Sequence, residues 1–272
     1  MDPQLSLLMA NLVQVNQSHL VYDPFVGTGS ILLASAQFGA QVIGSDIDYL
    51  MVHARTKPSR VGQKKRIKGE SFRGNFDQYS LQSKMVDVIV ADASNPPWRQ
   101  DVLFDAIVTD PPYGIREPAA KVGSNKDEVE AIPQEYQGTH IPSKVDYGLG
   151  DIFIDLLSFS NLHLRLGARL AFWIPINREY YSIEMLPAHP CFELVANCEQ
   201  VLSSHTSRRC LVFQKVRDGQ DFQDEEKCRQ RVRDMAAKFR ENFFKAQEIP
   251  RVERKERIKK YGHLNMENSN KD

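Results

Sequence analysis

Asp23-Pro24-Phe25-Val26-Gly27-Thr28-Gly29-Ser30 lies between a short apolar run, His19 to Tyr22, and a run of small helix-forming residues, Ser30 to Phe38, that stops at Gly39. A strand that enters a helix through two glycines lets its backbone approach a ligand closely, because no Cβ stands in the way. A second apolar run, Gln41 to Gly44, follows at once and ends at Ser45-Asp46, about 20 residues beyond the turn. Strand, glycine turn, helix and strand at this spacing predict the opening of a parallel, doubly wound sheet that holds its ligands at the strand carboxyl ends.

The rest of the chain continues that plan. Val86 to Ala91 and Phe104 to Thr109 read as third and fourth strands, both apolar enough for burial on two faces. Ile152 to Leu166 reads as a helix stopped by Gly167, and Leu170 to Ile174 as a fifth strand. Leu194 to Val201 and Arg209 to Lys215 lie close enough to pair as a hairpin. Before them all, Leu5, Leu8, Met9, Leu12 and Val15 recur along one face of a helix that Asp2 caps and Pro3 opens. The expected fold is therefore α/β: a doubly wound, mainly parallel seven-stranded sheet with a terminal antiparallel hairpin and a charged C-terminal helix.

Two regions fall outside the regular alternation. Ile115 to Gly148 is long, polar and rich in Gly, Pro and Ser, which makes it either a mobile lid over the site or a disordered loop. From Asp218 the chain turns densely charged and reads as one helix to about Lys260, then a frayed tail. The expected division is a catalytic domain over residues 1–216 and a helical extension over 217–272.

Charge and cysteine usage narrow the function classes. Lysine plus arginine and aspartate plus glutamate balance at 35 each, so the whole molecule generates no field that draws in a polyanion. Phosphate contacts would come from local clusters such as Lys64-Lys65-Arg66-Lys68 and Arg254 to Lys260, each of which also reads as an ordinary solvated face. The four cysteines show no C-x-x-C pairing, so reduced, mostly buried thiols and no metal site are expected. No apolar run approaches the roughly 20 residues of a membrane span, and Met1 to Asn16 lacks the zones of a signal peptide, which predicts a soluble, cytoplasmic protein.

The candidate ligand is a nucleoside. Asp46 has the placement of a carboxylate that accepts hydrogen bonds from two ribose hydroxyls. The loop lacks the last glycine of G-x-G-x-x-G, which suits a nucleoside without phosphates better than a dinucleotide pyrophosphate. Asp92, after the third strand, has two readings: a turn aspartate, or an acceptor for an adenine amino group.

Asp110-Pro111-Pro112-Tyr113-Gly114 directly follows the fourth strand and is the most specific motif in the chain. Two prolines end the strand and fix the backbone, so the Asp110 carboxylate and the Pro111 carbonyl converge on one small volume. An exocyclic amino group is a poor nucleophile while its lone pair is delocalised into the ring. Two rigid acceptors that hold its hydrogens answer that difficulty, and Tyr113 offers a face for the planar ring. A sulfonium methyl donor tolerates such a carboxylate nearby. The chemistry indicated is amino methylation, with no serine or cysteine nucleophile.

Together these motifs resemble the Rossmann-like amino-methyltransferases, a group acting on DNA adenine, protein glutamine and RNA guanine. Asp110-Pro111-Pro112-Tyr113-Gly114-Ile115-Arg116, preceded by Phe104 to Thr109 and followed by a long charged loop, is similar to the eukaryotic tRNA guanine-10 N2-methyltransferase catalytic subunits, from about Asp2 to Lys215. The resemblance implies S-adenosyl-L-methionine held by Asp23, Phe25, Gly27, Gly29, Asp46 and Asp92, and a target guanine of tRNA held by Asp110, Pro111, Pro112 and Tyr113. It also implies a small zinc-binding activator subunit that covers apolar surface beside the third strand. An N-terminal THUMP-type RNA-binding module precedes the catalytic domain in that family, whereas this chain starts at the helix before the first strand, so a short isoform or a fragment is expected. Other readings are a non-catalytic form that binds the activator, a DNA adenine enzyme, and a protein glutamine enzyme, although the last group favours Asn where this chain has Asp110.

Overall fold

The computed structural model describes residues 1–55, 70–114, 119–125, 133–135, 142–203, 205–219 and 225–248. The basic cluster at residues 64–68 and the tail from residue 249 lie outside them.

Helix α1 (Pro3–Leu12) begins as its sequence predicts: Asp2 Oδ1 accepts the backbone N–H groups of Gln4 and Leu5 at 2.9 and 3.3 Å. It buries Met9 and Ala10, while Leu8 is 45% exposed, so the buried stripe is narrower than the expected one. The chain then forms β1 (Leu20–Asp23), α2 (Ser30–Gln37) and β2 (Gln41–Asp46), and β1 and β2 pair in parallel. Short helices α3 (Tyr49–Val52) and α4 (Phe72–Gln78) precede β3 (Met85–Val90) and β4 (Phe104–Thr109). Helix α4 is capped by the Ser71 hydroxyl, which accepts the Gly74 N–H at 3.0 Å.

Beyond β4 come a short antiparallel ribbon of β5 (Ala120–Val122) and β6 (Lys144–Asp146), helix α5 (Leu149–His163) and the long strand β7 (Leu164–Asn177). Gly167 is not a helix stop. The helix ends four residues earlier, and Gly167, at φ +82°, lies inside a strand whose register with β4 shifts between Phe104 and Ala106. A positive φ is cheap for glycine and bends the strand there.

Strands β8 (Phe192–Val201) and β9 (Thr206–Lys215) form the expected hairpin, with β9 inserted antiparallel between β7 and β8. The seven-stranded order is β3-β2-β1-β4-β7-β9-β8. Helix α6 (Glu225–Glu248) follows. Its charged composition concealed an apolar stripe of Val232, Met235, Ala236 and Phe239, all buried.

Alternation along the central strands produces a core on each face of the sheet. On β7, Leu170, Phe172, Ile174 and Ile176 face the α5 and α6 side, while Ala171 and Trp173 face the α1 and α2 side. Each large aliphatic or aromatic side chain so buried contributes roughly 1.5–3 kcal/mol of transfer free energy. One strand departs from expectation. β3 is the sheet's edge rather than an interior strand, and Val86 and Val90 are 52% and 43% exposed. No helix among the described residues is long and apolar enough to cross a membrane.

Candidate active site

The carboxyl ends of β1 and β2 carry the glycine turn. Val26 N–H donates to the Ser45 carbonyl at 3.0 Å and Gly29 N–H to the Val26 carbonyl at 2.9 Å, which folds the turn against the end of β2. Asp46 Oδ2 accepts the Gly27 N–H at 2.9 Å and its Oδ1 the Asp48 N–H at 2.9 Å. A carboxylate has about four acceptor positions, so two remain on Asp46. Burial pushes the Asp46 carboxyl up from its ordinary value, against the two backbone donors.

The two glycines of the turn have different reasons. Gly27 sits at φ +52°, and a Cβ built on it would meet no atom within 4 Å. Gly29 sits at φ +81°, and its Cβ would strike the Phe72 ring at 2.6 Å. Close packing of α4 therefore accounts for Gly29, whereas Gly27 leaves room for a ligand to reach the backbone.

Asp23, the last residue of β1, is fully buried. Its Oδ1 accepts the Phe25 N–H at 3.0 Å and the Thr109 hydroxyl at 2.7 Å, but its buried Oδ2 has no hydrogen-bond partner. Burial, with the nearby charges of Asp46 and Asp110, raises the carboxyl to about 7 against two hydrogen bonds that lower it. A cationic group presented to the unpartnered oxygen would restore the ionised form. The α-ammonium of an amino-acid-bearing nucleoside is such a group, so the donor set fits S-adenosyl-L-methionine: an orphaned buried oxygen at Asp23, open backbone at Gly27 and spare acceptor positions on Asp46.

Asp92 is a turn aspartate and also a tether. Its Oδ1 accepts the Ser94 N–H at 2.8 Å and its Oδ2 the Val122 N–H at 2.6 Å. Together with the Lys144 ammonium, which donates to the Ile47 carbonyl at 3.1 Å, this contact docks the β5–β6 ribbon across the ends of β2 and β3. The described part of the long loop is thus an ordered strap.

The second half of the site begins one residue after Thr109. Asp110 Oδ1 accepts the Tyr113 hydroxyl at 2.7 Å, and Oδ2 accepts from Arg208 Nη1 at 3.0 Å. The side chains of Arg208 and Asp110 are 15% and 24% exposed, so water screens this pair only partly. Burial and the Asp110 charge push the Tyr113 hydroxyl well above its ordinary value, which keeps it a donor. Arg208, on β9, also donates from Nε to Gln200 Oε1 at 2.7 Å and lies 4.3 Å over the Trp173 ring. Three strands, β7, β8 and β9, therefore hold the guanidinium that orients Asp110.

Beside Tyr113 opens a cleft of about 550 Å³, bounded by Gly114, the turn at Asp146 to Asp151 and helix α6. Its size falls within the ordinary range of small-ligand sites. The carboxylate turn, the tyrosine ring and the cleft lie in sequence along one edge of the sheet.

The residues singled out for cofactor and target base lie at the carboxyl edge, in two groups. Asp23, Phe25, Gly27, Gly29 and Asp46 gather at β1 and β2, with Asp92 beside them under the ribbon, and Asp110 to Tyr113 gather at β4. The Thr109–Asp23 hydrogen bond ties the groups together. Sequence reasoning missed Arg208 and Gln200. The only local signal was a charged pair, Arg208-Arg209, opening an otherwise apolar strand, a pattern that ordinarily marks a solvated end.

Residues 1–125 match a family model described as an RMKL-like methyltransferase domain. The chain is 50% identical over 218 residues to the tRNA (guanine(10)-N(2))-methyltransferase of Bos taurus, covering 80% of this chain and 47% of that protein. It is 39% identical over 218 residues to the enzyme of the same name from Dictyostelium discoideum, covering 79% of this chain and 40% of that protein. The chain spans about half the length of the curated relatives it matches. Among solved structures, TrmN from Thermus thermophilus superposes with a TM-score of 0.50 at 20% identity, covering 79% of this chain and 49% of that one. The fold is the α/β sheet of the Rossmann-like methyltransferases.

Proposed function

We propose that this chain, a homologue of the tRNA (guanine(10)-N(2))-methyltransferases over four fifths of its length, transfers a methyl group from S-adenosyl-L-methionine to the exocyclic N2 of a guanosine in tRNA, at position ten. The observation that carries the proposal is the 2.7 Å bond from Thr109 to Asp23, which sets the glycine turn and the Asp110 turn side by side. A nucleoside pocket and a rigid amino-group acceptor are then adjacent.

When bound, the sulfonium cofactor supplies an activated methyl group. The protein's part is to hold the nucleophile. Asp110 keeps one spare acceptor position on each oxygen beyond its bonds to Tyr113 and Arg208, enough to take an N2–H. Fixing that hydrogen turns the nitrogen lone pair out of conjugation with the ring. As the new N–C bond forms and the S–C bond breaks, nitrogen gives up one proton, and the Asp110 carboxylate is the acceptor at hand. Tyr113, its hydroxyl tied to Asp110, presents its ring to the cleft as a stacking wall. Asp46 would hold the ribose hydroxyls of the cofactor, Gly27 would let it approach the backbone, and Asp23 would take its ammonium.

The family resemblance includes a zinc-binding activator subunit. The exposed apolar side chains Val86 and Val90 of edge strand β3 support a partner on that side of the sheet. Nucleoside mass spectrometry of tRNA from cells lacking the gene tests the substrate: one N2-methylguanosine should be lost, and returned by the wild-type chain but not by Asp110→Asn. Unchanged N2-methylguanosine contradicts the proposal.

A further inference from the structure

We propose that helix α6 is a phosphate-binding wall of the substrate cleft, with Arg233 and Arg240 taking the phosphates on either side of the nucleotide whose base enters beside Tyr113. This inference rests on the RNA reading of the site. It arises from the cleft itself: one wall carries Tyr113 and Asp146, the other carries Arg233 and Arg240 of α6.

The helix is firmly placed. Val232, Met235 and Phe239 are buried on its inner face. At Gly150, near the start of α5, a Cβ would come within 3.2 Å of Arg233 Cα and 3.5 Å of Ala236 Cβ. The absence of a side chain there lets the two helices touch by their backbones, and so sets Arg233 at the cleft's rim.

Arg233 and Arg240 are seven residues apart, two helical turns or roughly 10.5 Å along one face. Between them Ala236 and Ala237 leave the wall low. That separation is too wide for the two guanidinium groups to share one phosphate, so each meets a different phosphate of the strand. Arg240 is exposed and forms no hydrogen bond or ion pair among the described residues. Arg233 donates to Glu226 at 3.0 Å, an exposed pair of the kind that exchanges readily for a better anion.

The opposite wall holds Asp146 and Asp151. Carboxylates repel phosphate, which leaves the α6 side as the path for the backbone and the Asp-bearing side for the base, whose edge carries N–H donors. In a chain of zero net charge, this pair concentrates positive potential where the substrate enters.

Fluorescence anisotropy of labelled tRNA against the full chain, over about 50 to 200 mM salt, tests the assignment. R233Q/R240Q should bind about tenfold more weakly at the low end, with a salt slope shallower by about 1.5, because each phosphate contact contributes roughly 0.7–0.9 to that slope. Its affinity for S-adenosyl-L-methionine should equal that of the wild type, which reports an intact fold. K227Q/K238Q removes equal charge from α6 outside the cleft and should weaken binding less than about twofold. Wild-type affinity and slope in R233Q/R240Q overturn the assignment alone, and so does an equal loss in K227Q/K238Q. A wild-type chain that binds no tRNA overturns the assignment and the RNA reading together.

Discussion

The two halves of the site meet at one hydrogen bond but are built in different ways. The glycine-turn half draws on Asp23 and Asp46, at the ends of two adjacent strands, and on Gly27 in the turn after β1, and its carboxylates mainly accept backbone N–H groups. The Asp110 half depends on Arg208, 98 residues away, and on a guanidinium that Gln200 and Trp173 hold from two further strands. Local assembly suits a cofactor pocket that recurs with many substrates, because it needs little from the rest of the fold. Long-range assembly ties the acceptor to the terminal hairpin and to β7. The halves should therefore fail separately when mutated.

Asp110→Asn gives the sharpest separation. It should lower kcat about 1,000-fold, since the acceptor of the amino hydrogens is lost, while calorimetry finds cofactor affinity within about twofold of wild type. Comparable loss of both would merge the halves into one unit. Asp46→Ala should do the reverse, weakening cofactor binding about 10- to 100-fold, the worth of one or two charge-assisted hydrogen bonds. Single-turnover rates at saturating cofactor should then stay near wild type.

Arg208→Gln probes the long-range support. With the Asp110 carboxylate freed to rotate, kcat should fall about tenfold while the KM for cofactor holds. Arg208→Lys should restore only part, since an ammonium cannot bridge Asp110 and Gln200 in the planar fork that Arg208 uses.

The smallest effect concerns Asp23. Its folded carboxyl lies at about 7, above its unfolded value, so the protonated form is the one that stabilises the fold. That stability is complete below about pH 4 and is lost as pH rises through about 7. A cationic ligand favours the ionised form, so cofactor binding should release a proton near pH 6.5 and tighten about fivefold from pH 6 to 8. Asp23→Asn keeps an acceptor for Thr109 and should flatten both trends relative to wild type. Identical pH profiles in the two proteins would detach Asp23 from the ligand.

How much of this was legible in the chain follows the same division. The glycine turn, Asp46 and the Asp110 turn could be read because each is a short motif whose chemistry depends on neighbours in sequence. The hairpin was legible from two apolar runs at close spacing. Arg208 was not, because its role is set by a register between β7, β8 and β9 that no local pattern encodes. The place of β3 at the sheet edge was hidden too: its run of valines suits a buried strand, and only strand order exposes Val86 and Val90. Helix α6 read as a charged extension because Val232, Met235, Ala236 and Phe239 are diluted among lysines, arginines and glutamates. Asp92 kept two readings, and the bond it makes to the distant Val122 is what ties the strap to the sheet.

The central claim is that Asp110 serves the amino nitrogen of guanine, and a substrate lacking only that nitrogen tests it most directly. A tRNA carrying inosine in place of guanosine at position ten should bind the chain with nearly unchanged affinity and accept no methyl group from S-adenosyl-L-methionine, while the guanosine form yields N2-methylguanosine. Equal methyl transfer to both would contradict the account.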